Sequence, residues 1–127
     1  MKNRPDRRVL PANWYEFTII DGVDEKFPGI YEWQIEDVGS YIGKYGRIRR
    51  PRKEYGRNVV RLLNGLPYRR AKPERYRRIP HELALAHPTG RKIRLIILEN
   101  VDATQIDDRE RALIELRGNL NGHVPAV

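Results

Sequence analysis

The run Lys92-Ile-Arg-Leu-Ile-Ile-Leu98 constrains this chain more than any other segment. In an extended backbone Ile93, Leu95 and Ile97 fall on one face, and Ile96 and Leu98 on the other. A strand that is apolar on both faces must be covered on both, so it belongs at the centre of a sheet. A chain of 127 residues has room for one such core and hardly for two. The expectation is a single domain over residues 13–127, preceded by an irregular arm over residues 1–12 that carries Pro5 and Pro11.

Two shorter strands precede the central one. Residues 30–35 (IYEWQI) alternate and are rich in β-formers, and residues 40–45 (SYIGKY) return after Asp37-Val38-Gly39, a three-residue loop with glycine in the left-handed position. In that pairing Ile35 faces Tyr41 and Tyr31 faces Tyr45. Tyr31, Tyr41 and Tyr45 then share one side of the hairpin, and a slip of one residue would break the arrangement. Residues 13–20 (NWYEFTII) fit an extra strand or a short helix equally well.

Helical spacing appears three times. Tyr55, Val59, Leu62 and Leu63 recur behind Pro51 and stop at Gly65, which predicts a helix over 51–64. Ile79, Leu83 and Ala86 give a stripe over 74–87, which Pro80 starts or interrupts. Ile106 to Arg117 opens on Asp107 and Asp108, whose charge suits a helix N-terminus, and ends at Gly118. The order strand, strand, helix, helix, strand, helix makes an α/β layered domain with a small sheet.

The net charge is +8, and it is concentrated. From Lys44 to Arg78 there are 14 basic residues against Glu54 and Glu74, a local net of +12, while the remaining residues are net −4. A segment of one sign repels itself and is suited to a polyanion. Most of these residues are arginine, whose fork matches phosphate oxygens. The segment therefore reads as a nucleic-acid footprint, with a basic face kept for solubility as the plain alternative. Its candidate contacts are Lys44, Tyr45, Arg47, Arg49, Lys53, Arg57, Arg69, Arg70, Arg77, Arg78 and His81.

Other chemistries are excluded or disfavoured. Without cysteine there is no disulfide, thiolate nucleophile or zinc finger. No apolar run nears the ~18 residues of a membrane span, and the N-terminus has no long apolar core of a secretory signal, so the expected location is the cytoplasm. His81, His87 and His123 form no metal-binding spacing. Glu110 differs: Ile106, Leu113 and Ile114 place its carboxylate on or beside an apolar stripe, where acids are found when paired or bound to a cation. One carboxylate suits Mg²⁺, which keeps several waters.

Taken together, these pieces resemble the GIY-YIG endonuclease superfamily. Gly29-Ile30-Tyr31 and Tyr41-Ile42-Gly43 are the two triplets that name it; basic Arg50 and Arg52 stand at a helix start; Glu110 and a closing Leu-Asn-Gly with Asn121 follow. The likeness covers about residues 28–122. It implies a small three-stranded, mainly antiparallel sheet flanked by helices, and Mg²⁺-dependent (or Mn²⁺-dependent) hydrolysis of DNA. In that scheme the tyrosine matching Tyr31 helps take a proton from the attacking water, and the one matching Tyr41 orients water or contacts phosphate. The arginine offsets charge on the phosphate, Glu110 holds the metal, and the asparagine supports the site. The family's arginine often falls ten residues after the YIG tyrosine, where Pro51 stands, so Arg50 or Arg52 takes its place, with Arg50 favoured. Asn121 fits the ending better than Asn119, which would cap the helix. For a tyrosine to act as a base, nearby cations must lower its pKa from ~10, and arginines beside the second strand are placed to do so. The implied partner is DNA, with no membrane and with a homodimer left open. The rival expectation is a non-catalytic module of the same fold that binds DNA or structured RNA.

Overall fold

The computed structural model of the protein describes residues 8–67 and 77–122. Four strands form one sheet: β1 (Glu16–Ile19), β2 (Gly29–Ile35), β3 (Gly39–Tyr45) and β4 (Ile93–Asn100), in the order β1-β4-β2-β3. β4 holds a central place, as its two apolar faces require. The sheet is mixed, which corrects the three-stranded expectation: β1 pairs parallel with β4, Glu16 opposite Arg94 and Ile19 opposite Ile97. The undecided NWYEFTII segment is therefore partly strand. Only EFTI enters the ladder, and its partner lies 78 residues further on, beyond the reach of local pattern.

A five-residue π-helical stretch, Arg50–Glu54, opens α1 (Tyr55–Leu63). Pro51 is buried in that first turn, where its missing N–H is harmless. α2 (Arg78–Ala86) starts two residues before Pro80, so the proline sits in the first turn; a 3₁₀ turn, His87–Thr89, follows. Residues 74–76 of the expected helix lie outside the described part. α3 (Ile106–Arg117) has its expected bounds.

The sheet lies between two helical layers. Tyr31, Trp33, Ile35, Tyr41 and Tyr45 join Leu95 and Ile97 under Tyr55, Val59, Ile79 and Leu83 of α1 and α2. Ile30 and Ile42 project to the other side, where Leu113 and Ile114 of α3 cover them. A bulge between Ile30 and Tyr31 lets Ile30 pair with Glu99 and Tyr31 with Ile97.

The hairpin register differs from expectation by two residues. Ile35 pairs with Gly39, Trp33 with Tyr41, and Tyr31 with Gly43. The αL residue of the turn is Asp37, at φ 63°, while Gly39, which starts β3, also has a positive φ, 149°. Aspartate tolerates that region better than most residues. Because strand periodicity is two, an even shift keeps all three tyrosines on the same face.

Candidate active site

The new register explains the glycines of the two triplets. Gly43 lies opposite Tyr31, and a Cβ there would overlap the Tyr31 ring and hydroxyl. Gly29 lies opposite Tyr45; a Cβ there would overlap the Glu99 carbonyl and reach 3.0 Å from the Tyr45 hydroxyl. Each glycine thus leaves room for a tyrosine of the partner strand.

Tyr31 is 2% exposed, and its hydroxyl lies 2.6 Å from that of Tyr55 in a shared hydrogen bond. The Tyr55 hydroxyl also meets the Tyr41 hydroxyl and the Arg77 guanidinium. Arg77 lies closest in effect to Tyr41, then to Tyr55 and Tyr31. Arg50 and Arg77 both act on Tyr31, yet burial outweighs them and pushes the Tyr31 hydroxyl far above its ordinary pKa, with Tyr41 adding to the rise. Tyr55 is pushed up by burial in the same way. The expected lowering by arginines does not occur, because desolvation of a phenolate beneath two helices exceeds the attraction of partly solvated guanidinium groups. Tyr31 and Tyr55 are neutral hydroxyls, able to donate hydrogen bonds and to orient a ligand.

Arg50 and Arg52 diverge. Arg50 acts on Tyr31 and Lys44. The Arg52 guanidinium lies 4.1 Å from the centre of the Phe17 ring, toward β1, and its carbonyl accepts the Tyr15 hydroxyl at 2.9 Å. The structure therefore brings Arg50, and not Arg52, to the tyrosines.

Glu110 approaches from the other helical layer, around the outer edge of β3. Its carboxylate accepts a hydrogen bond from the Lys44 backbone N–H and lies within the influence of Lys44, Asp107 and Arg77. Burial raises its pKa, against the pull of Lys44. The same edge is capped further along by the α3 exit. Ser40 N–H donates to Asn119 Oδ1 (2.7 Å), and Ile42 N–H donates to Asn121 Oδ1 (2.9 Å) while its carbonyl accepts from Asn121 Nδ2 (2.8 Å). Asn119 also donates to the Val38 carbonyl at 3.2 Å, so its side chain holds the hairpin and does not cap the helix. Both asparagines act on the β3 backbone, and Asn121 supports the strand that carries Tyr41.

The basic footprint separates into distinct groups. Lys44 is ion-paired with Asp107, and Arg78 with Glu82 at 2.8 Å. Arg47, Arg49, Lys53 and Arg57 are exposed, and His81 is half-buried. Arg77, expected on the surface, is half-buried beside the tyrosines. Tyr45 is 2% exposed and packs rather than meeting solvent; burial raises its pKa, aided by Glu25 and Asp24. Arg69 and Arg70 lie outside the described residues.

Sequence reasoning missed the Tyr55 hydroxyl and the inward turn of Arg77. It also missed Glu32, fully buried on the α3 face of β2, which accepts two hydrogen bonds from Arg117 (3.1 and 2.7 Å). Its signal was present: a carboxylate inside the strand IYEWQI, with an arginine at the end of the helix that covers it.

Among the described residues no group of three or more His, Asp or Glu is placed to hold a metal ion. Glu110 offers a carboxylate beside the cluster, and its neighbour Asp107 is engaged by Lys44. No protein-family model, curated protein or solved structure matches the chain.

Proposed function

We propose that the chain is a divalent-metal-dependent DNA endonuclease of the GIY-YIG type. The supporting observation is convergence: Tyr31, Tyr41 and Tyr55 act on one another and on Arg77, Arg50 acts on Tyr31, and Arg77 in turn acts on Glu110. Hydrolysis of a phosphodiester builds negative charge on phosphate oxygens, and the Arg50 and Arg77 guanidinium groups beside the tyrosines answer that charge. Tyr31, as a neutral hydroxyl, and Tyr41 orient the phosphate and the attacking water. Tyr55 ties their hydroxyls together, and Asn121 keeps β3 in place.

Glu110 would hold Mg²⁺ or Mn²⁺. One protein carboxylate fits Mg²⁺, which fills its shell with water and phosphate oxygens, and the carboxylate has lone pairs beyond the one bonded to Lys44 N–H. The bound ion would offset charge on the phosphate and lower the pKa of a bound water. Arg47 and Arg49, exposed between β3 and the π-helical turn, hold the DNA backbone, so binding weakens steeply with salt.

The deep burial of Tyr31 favours a second reading, a non-catalytic nucleic-acid-binding module. Nicking of supercoiled DNA with Mg²⁺ or Mn²⁺ separates the two. Glu110→Ala lowers nicking by about 100-fold or more and leaves DNA binding intact. Tyr31→Phe, which keeps the ring, also lowers it. If the wild-type protein cuts no DNA with either metal, or if Glu110→Ala still cuts, the nuclease reading is wrong and the binding module remains.

A further inference from the structure

A groove of about 740 Å³ runs along the flank of α1 away from the tyrosine hydroxyls. Trp14 and Tyr15 line it, together with Arg52, Lys53, Arg57 and Arg61, and no acidic side chain is among its lining residues. Trp14 stacks on Trp33 (5.5 Å, 24°) and Trp33 packs against Tyr55 (5.4 Å), so a wall of rings divides the groove from the candidate active site. The cations are spaced at i, i+1, i+5 and i+9 along the π-helical turn and α1, which strings positive charge along one side of the groove. Arg52 rests on Phe17 and Arg61 donates to the Pro67 carbonyl at 2.7 Å, so both are fixed in direction. Among the described residues Lys53 and Arg57 make no ion pair.

We infer that this groove takes a single-stranded stretch of nucleic acid. A row of cations tracks a phosphate backbone, and an aromatic floor offers a surface on which bases stack; together they suit single strands, whose bases are free to stack. A duplex hides those faces and would leave the aromatic floor unused. An acidic peptide would match the charge but not the rings. The inference rests on the nucleic-acid reading of the basic segment and needs no cleavage.

The chain carries its own reporter. It has two tryptophans, and Trp33 is fully buried, so a ligand in the groove acts on Trp14 emission. The full chain is titrated with (dT)12, with (rU)12, with a blunt 12-base-pair duplex and with polyglutamate. Tryptophan fluorescence and the anisotropy of labelled oligonucleotide are both followed. Either oligonucleotide quenches emission, and comparing them shows whether the sugar matters. The double variant Lys53→Glu, Arg57→Glu, at two exposed positions, binds (dT)12 at least about 10-fold more weakly, and the duplex is affected less. Absence of quenching overturns the inference, as does unchanged (dT)12 affinity in the variant. Equal weakening for the duplex overturns it too and assigns the cations to duplex contacts; quenching by polyglutamate alone assigns the groove to an acidic peptide. Nicking by the wild-type protein is read separately. Quenching without nicking leaves the groove standing and removes the nuclease; nicking without quenching does the reverse.

Discussion

On one face of the sheet the aromatic rings of β2 and β3 lie under α1 and α2; on the other, one carboxylate, Glu32, lies under α3. The first face pairs buried hydroxyls with one another, while Trp33 Nε1 and the Tyr45 hydroxyl are buried without a hydrogen-bond partner among the described residues. Tyr31 and Tyr55 share a hydrogen bond and remain neutral because burial opposes their ionisation. The second face buries a carboxylate and matches it with a bidentate arginine. Adjacent residues of one strand, Tyr31 and Glu32, thus meet opposite solutions because the pleat sends them to opposite layers. A layer that holds hydroxyls can exchange hydrogen bonds with a ligand at little electrostatic cost. A layer that holds a buried ion pair fixes geometry, here the approach of α3 and with it Glu110.

The largest test of this contrast is at Arg117. Its side chain is 43% exposed and that of Glu32 is 1% exposed, so the two partners are not equivalent. Arg117→Ala strands a carboxylate in the interior and costs about 3–5 kcal/mol. Glu32→Gln leaves a guanidinium that still reaches water and costs less. Urea unfolding of both variants checks the order, and equal costs would break the argument from burial.

On the tyrosine face the corresponding test is Gly43→Ala. The added methyl meets the Tyr31 ring, so the expected loss is about 1–3 kcal/mol by overpacking, together with loss of the Tyr31–Tyr55 hydrogen bond. Near-ultraviolet circular dichroism, which follows tyrosine environments, reports the displaced ring. An unchanged spectrum and stability would mean that the ring has slack.

Asn121→Ala falls between the faces, at the β3 edge. It removes two hydrogen bonds to Ile42, and the expected cost is about 1–2 kcal/mol because water can partly replace them. Faster amide exchange at Ile42, and not at Trp33, would sharpen the contrast between edge and core.

The smallest effect is the titration of Glu110. Its folded-state pKa is raised above the usual 4.5 by burial, so between the two values the folded chain binds more protons than the unfolded one. Stability therefore falls as pH rises through that window. Glu110→Gln abolishes that part of the slope in urea midpoints measured across it, and a slope that survives belongs to another group.

Much of this was legible locally. α3 announced both ends, with Asp107 and Asp108 at its start and Gly118 after it, and the two-sided apolar run placed β4 at the centre. What was not legible depended on distance in the chain. β1 finds its partner 78 residues away, and Glu32 bonds an arginine 85 residues away. The hairpin turn was misplaced because Asp37 adopts the left-handed conformation that a glycine two positions later would take more easily. The choice between Arg50 and Arg52 depended on the π-helical turn, which periodicity does not announce. The direction of the Tyr31 shift depended on depth beneath α1 and α2, a property of packing that the neighbouring arginines do not reveal.

The capped edge of β3 also bears on self-assembly. An exposed edge strand is a template on which another chain can add a strand of its own. Here Asn119 and Asn121 already use the outward amides of Ser40 and Ile42, and Glu110 uses that of Lys44. Two copies of the chain cannot join their sheets through β3 without first breaking these bonds. A homodimer must therefore meet through another surface, and the same asparagines that steady the Tyr41 strand guard it against edge-to-edge aggregation.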